Sequence, residues 1–158
     1  MRGTSLSFFL TIAGCALVPS TGLASGTAPA ITPGVHVFEA HLQDSPCGRN
    51  AFCGVGRLTG FGSVKTRAAF RPFGSPPAAG CLSVVGTRRL TLARDRKSTL
   101  RLAVSGAVCG SRSWGTFKVS SGSGAFAGAT GSGVILGSFT ELQHEHLHYS
   151  GVLTLTHK

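Results

Sequence analysis

Apolar and polar residues alternate with a period of two along much of the chain, the pattern of strands with one buried face. The clearest instance lies between Cys81 and Cys109. Leu82, Val84, Leu90 and Leu92 fall on even numbers, as do Leu100, Leu102, Val104 and Val108. Polar Arg94-Asp95-Arg96-Lys97 separates the two halves. Folding them about Asp95 pairs Leu90 with Leu100, Val84 with Gly106 and Leu82 with Val108. The even residues then share one face, and Cys81 meets Cys109. A slip of one residue would lose both the face and the cysteine pair, so two independent constraints fix this hairpin.

The same reading places a first strand over 35–42 and a loop over 43–54. Residues 57–70 read as one strand whose glycines mark bulges or a tight bend, and 71–80, with Pro72, Pro76 and Pro77, as loop. Segments 113–119, 134–140 and 147–156 bring the count to seven or eight strands. No helical segment intervenes and the connections are short, so the predicted fold is an all-β, antiparallel, seven- to eight-stranded barrel, with a sandwich as the alternative.

Composition agrees. Gly is 23 of 158 residues, and only 13% are charged, respectively about twice and half the usual shares. Three Glu, four Lys and two Gln are too few to coat the exposed faces of helices. A hydrophobic fraction of 42% is too high for disorder. Residues 1–24 carry Arg2, an apolar stretch from Leu6 to Val18, and small Gly22 and Ala24, the layout of a secretory signal. Ile12-Ala13-Gly14-Cys15 is the alternative, a lipobox with lipid attachment at Cys15. Residues 25–34 read as a lead-in and 35–158 as one domain. Four cysteines follow the signal, spaced 6, 28 and 28 apart with no CxxC pair. Disulfides Cys47–Cys53 and Cys81–Cys109 are therefore predicted over zinc ligation, the second from the hairpin register.

The Gly-rich run over 121–133 lacks the lysine of a phosphate-binding loop and leads into a strand rather than a helix, which excludes nucleotide binding. It reads as a tight connection with Phe126 plugging the end of the core. Gly124-Ala-Phe-Ala-Gly-Ala-Thr-Gly131, the strand that follows it and the closing Tyr149-Ser-Gly151 resemble the Gly-x-Phe-x-Gly-Ala-x-Gly signature of the dirigent and allene oxide cyclase barrel-like superfamily. Gly56-Arg-Leu-Thr-Gly-Phe-Gly62 is similar to an early strand of its bacterial secreted members. The likeness spans about half of the chain that follows the signal. It implies an eight-stranded barrel with a lipocalin-like cavity, whose plant relatives steer oxidised fatty acids or phenoxy radicals. None of the five acids here (Glu39, Asp44, Asp95, Glu141, Glu145) stands in a motif that matches the superfamily's catalytic residues.

The remaining candidate chemistry is sparse. Of the 14 cations after residue 24, six lie from Arg88 to Arg101. Arg89, Arg94, Arg96, Lys97 and Arg101 are predicted at the hairpin tip or on its outer face, a basic patch suited to anionic cell-wall polymer or a membrane surface. No aromatic residue interleaves with them, which argues against specific nucleic-acid binding. Arg88 falls on the apolar face opposite Leu102. It stands either at an open rim, the favoured reading, or in a cavity where it pairs with an anionic ligand head, joined there by Tyr149. No nucleophile triad or convergent carboxylate pair is visible. His144-Glu-His-Leu-His148 places three histidines on the face opposite Tyr149. Along an extended strand they cannot all reach one ion, and a closed site needs neighbouring ligands such as His36, His41 or Glu39. The expectation is an incidental histidine strip and no cofactor. Together these features suggest a secreted barrel that binds a small apolar or amphipathic ligand without catalysis. The alternatives are a cyclase-like enzyme and a basic surface protein.

Overall fold

A computed structural model describes residues 32–140 and 144–156 of the chain; the signal-like segment and Cys15 lie outside them. Eight strands, β1 (Gly34–Gly48), β2 (Ala51–Leu58), β3 (Gly62–Pro72), β4 (Cys81–Leu92), β5 (Thr99–Cys109), β6 (Arg112–Ser123), β7 (Thr130–Phe139) and β8 (Glu145–Leu155), form the fold. They run in chain order round a closed antiparallel barrel, β8 pairing with β1. The predicted hairpin is present in its predicted register: Leu90 opposes Leu100, Val84 opposes Gly106 and Cys81 opposes Cys109. Both disulfides are formed, with Cα atoms 5.6 Å apart in Cys47–Cys53 and 4.2 Å apart in Cys81–Cys109.

Two sequence assignments are corrected. Residues 43–54 are not a loop: β1 continues to Gly48 and turns at Arg49-Asn50 into β2, with Asp44 opposite Gly54. Cys47 and Cys53 join the two arms of this hairpin near its turn. Residues 57–70 are not one strand, because the chain reverses between Leu58 and Gly62. Gly60 and Gly62 have φ of 78° and 100° there, conformations that cost an L side chain but not glycine.

The connections alternate between two ends. One end carries the β2–β3, β4–β5 and β6–β7 turns and is filled. A short 3₁₀ turn, Gly124–Phe126, seats Phe126 fully buried against Phe61, ring centroids 5.3 Å apart. The turn is held on the β4–β5 tip, where the Ala125 N–H donates to the buried Ser98 Oγ at 2.8 Å. A Cβ on Gly124 (φ 58°) would stand 2.5 Å from that same oxygen. Beneath this plug Phe38, Leu58, Leu90, Leu100, Leu102 and Leu153 complete a dry core.

Candidate binding cavity and its polar floor

The other end carries the β1–β2, β3–β4, β5–β6 and β7–β8 turns and both disulfides. Here the barrel is not filled. Small residues stand where the plugged half has Leu and Phe: Gly106 faces Gly115 across β5–β6. A Cβ on either would lie 2.3–2.4 Å from a backbone carbonyl of the other strand, so neither position admits a side chain. What remains is an open-mouthed cavity of about 260 Å³ walled by Phe52, Phe70, Val84, Val104, Ile135 and Leu147. Leu82, 47% exposed, stands on this wall, whereas Trp114, 44% exposed, lies in β6 opposite outward Leu136 and borders the mouth between inward Ser113 and Gly115.

The floor is polar. Arg88 is 0% exposed and projects inward from β4, so it does not sit at the rim. Its Nη1 donates to Thr66 Oγ1 at 2.9 Å and to Asp44 Oδ2, and Nη2 lies 3.6 Å from Glu145 Oε2. Asp44 and Glu145 oppose one another across β1–β8, so two of the five acids do converge, around a cation. The Ser113 hydroxyl donates to Glu145 Oε1 at 3.3 Å. The guanidinium also lies over the rings of Tyr149 and Phe70, 5.5 and 5.8 Å from their centroids, cation–π geometry. Arg88 Nε and Nη2, Asp44 Oδ1 and Glu145 Oε2 have no hydrogen-bond partner among the described residues.

Burial lowers the Arg88 pKa, but the charges of Tyr149, Asp44 and Glu145 and the Asp44 hydrogen bond more than offset it, and the residue stays cationic. Burial raises the Glu145 pKa against the opposing pull of Arg88. Tyr149 is pushed up to about 12, chiefly by burial, with Arg88 opposing and the two carboxylates adding to the rise. Tyr149 is the chain's single tyrosine, so ultraviolet absorbance reports it alone. The native protein should reach its tyrosinate midpoint only at about pH 12, whereas the urea-unfolded chain should titrate near 10. A raised folded pKa means the neutral phenol's contribution to stability is whole below about pH 10 and lost on rising through 12. Native titration at the unfolded value would place the phenol in water.

Arg89, Arg94, Arg96, Lys97 and Arg101 are all exposed. Cross-strand pairing sets Arg67 opposite Arg89 and Arg89 opposite Arg101, a ladder of three arginines over β3–β4–β5. Lys65 and Arg96 lie beside it, lining the same surface depression as Arg67 and Arg89. Among the described residues the acids other than Asp95 are elsewhere: Asp44 and Glu145 are buried, and Glu39 faces His148. Asp95 is engaged at the tip with the Lys97 N–H and the Ser98 hydroxyl.

The three histidines separate. His144 precedes β8, and its Nδ1 lies 2.7 Å from Ser45 Oγ. His146 is exposed with Gln43 opposite it. His148 opposes His41 across β1–β8, ring centroids 4.5 Å apart and 9° from parallel, and its Nε2 lies 3.1 Å from Glu39 Oε1. His36 is not among them: its Nε2 lies 2.7 Å from the Thr32 carbonyl and its ring packs on Phe61.

Comparison of the chain with protein-family models and with curated proteins finds no match to either.

Proposed function

We propose that this is an exported protein that binds one small amphipathic molecule in the mouth half of its barrel, without catalysis. The observation that carries this reading is an apolar cavity closed below by buried, incompletely paired polar atoms. A volume of about 260 Å³ is just under the roughly 300–1,000 Å³ of ordinary ligand pockets, which limits the occupant to a single small molecule. The floor also refines the ligand. Arg88 is already neutralised by Asp44 and accompanied by Glu145, so an anionic head would meet two carboxylates and gain little from the arginine. An uncharged hydroxyl or amide, which donates to Glu145 and accepts from Arg88, fits better. The likeness to the dirigent and allene oxide cyclase superfamily supports the same location, since its barrels also receive lipophilic molecules. The cyclase-like alternative rests on that likeness alone. The two disulfides are consistent with an extracellular protein; removal of residues 1–24, or lipid attachment at Cys15, would be the route.

Trp114 is the chain's single tryptophan and lies in β6 between Ser113 and Gly115, both of which line the cavity. Titration with 1-decanol should change its fluorescence saturably and more tightly than decanoate does. Val84→Phe, which narrows the mouth without adding a second indole, should abolish the response of Trp114. Equal binding by wild type and that variant would move the ligand site elsewhere.

A second reading is favoured by the arginine ladder. Like charges directly opposed across strands destabilise a sheet, and three unopposed by acid suit a linear anionic polymer of the cell wall. Retention on heparin should fall steeply with salt, through the counterion release established for nucleic acids. Arg67, Arg89 and Arg101 replaced by Ser should remove most of it, and Arg94, Arg96 and Lys97 replaced by Ser the remainder. Unchanged retention after both sets would leave the patch a solubilising surface.

A further inference from the structure

We propose that Glu39, His41 and His148 form an open binding site for one borderline divalent cation, zinc or copper, on the outer wall of the barrel. The site owes nothing to the cavity, because β1 and β8 turn these three side chains away from it. Residues 39 and 41 are two apart on β1 and so share a face, while His148 is the direct cross-strand neighbour of His41 on β8. Two strands thereby supply the triangle that one strand could not. One ligand atom from each residue lies within 4.8 Å of the other two.

Tetrahedral zinc with bonds of about 2.0–2.2 Å sets its ligands roughly 3.3–3.5 Å apart. The required contraction is therefore on the order of 1 Å. His148 and Glu39 are 39% and 41% exposed at their side chains, so rotation of side chains supplies it without moving the sheet. The two rings lie parallel, 4.5 Å apart, so a modest tilt of each about its own side-chain torsions brings their in-plane lone pairs onto one ion. Two imidazoles and one carboxylate are a ligand set for zinc, and copper(II) binds such nitrogen-rich sets more tightly by the Irving–Williams order. Oxygen-seeking calcium and magnesium are disfavoured. The remaining coordination position opens on the shallow groove lined by His41, Arg57, Leu136, His146 and His148. Water or a small anion beside Arg57 would complete it.

The test is calorimetric titration of the untagged, disulfide-intact protein with zinc chloride, repeated with cobalt(II) for its visible spectrum. One equivalent should bind, reversibly to a chelator. His41→Ala and His148→Ala should each remove binding from the measurable range, and Glu39→Gln should weaken it at least about tenfold. Those losses are at the level that disturbing a metal site's surroundings already produces. His36→Ala and His144→Ala, whose rings lie against Thr32 and Ser45, should leave affinity unchanged. An unaltered urea-unfolding midpoint in each variant confirms that the barrel is folded. Absence of saturable binding would overturn the site, as would retention in His148→Ala. Loss in His144→Ala would show an unspecific histidine strip instead. Wild-type affinity in Glu39→Gln would overturn the three-ligand assignment. None of these outcomes bears on the cavity reading, which decanol titration tests separately.

Discussion

Replacing Arg88 with Met should destabilise the barrel by about 3–5 kcal/mol, the usual consequence of removing one partner from a buried ion pair. Against a total stability of roughly 5–15 kcal/mol for a native domain, that loss approaches unfolding. Met keeps most of the apolar stem packed beneath Tyr149 and Phe70, so the measured loss reports charge rather than a cavity. The cause is the pair left behind. Asp44 and Glu145 are 1% and 5% exposed, and without the guanidinium each faces the other across β1–β8 with no cation near. The penalty belongs to buried negative charge without a cation, so it grows as pH rises. The deficit should be largest near pH 7 and shrink toward pH 4, as the Glu145 carboxyl, already raised by burial, takes up a proton. Adding Asp44→Asn and Glu145→Gln should recover most of it, because an uncharged floor needs no arginine. Urea denaturation of wild type, Arg88→Met and the triple variant at two pH values measures all of this. A loss below about 1 kcal/mol for Arg88→Met, or no recovery in the triple variant, would mean that solvent already reaches the floor.

The parts of this fold that were legible in the sequence are those where local pattern and long-range constraint coincide. The β4–β5 register could be read because alternation and a cysteine pair selected it together. The Gly-rich connection with its Phe126 plug could be read because glycine and one large ring have few other uses there. The β1–β2 hairpin was hidden because Asp44, Ser45, Pro46 and Gly48 are turn formers by composition, while barrel closure and the Cys47–Cys53 bond hold them extended. That single misreading concealed the cavity floor. Phe38, Ala40, Leu42 and Asp44 share one parity of β1, and Leu147 and Tyr149 share one parity of β8 with Glu145. Continuing both strands outward would have turned both acids inward, toward Arg88. The inward arginine itself was visible as a break in an apolar face, but its burial was not. Burial depended on two partners distant in sequence, 44 residues in the case of Asp44. The histidine cluster was legible to the extent that strand geometry demanded ligands from a neighbouring strand. Only the β1–β8 closure chose His41 and Glu39 over His36.

Removal of the Cys81–Cys109 bond, by Cys81→Ser with Cys109→Ser, should cost about 3.6 kcal/mol, and of Cys47–Cys53 about 2.4 kcal/mol. Both figures follow from the loop-closure entropy restored to the unfolded chain, for loops closed at sequence separations of 28 and 6. The longer loop should therefore dominate, although both bonds sit at the same end of the barrel. Cys81 and Cys109 are directly opposed on adjacent strands, with Leu82–Val108 and Ser83–Ala107 paired beside them. The native register consequently survives without the bond, and the effect falls on the unfolded state. Two signatures follow. The denaturant slope should rise in Cys81→Ser with Cys109→Ser, because its unfolded chain is more expanded and exposes more surface. The response of Trp114 to decanol should persist at temperatures where the variant is still folded, since the cavity wall keeps its pairing. A larger cost for the Cys47–Cys53 pair would reverse the entropic order. It would then show that the short bond holds β1 and β2 extended past Leu42, and with them Asp44 on the cavity floor.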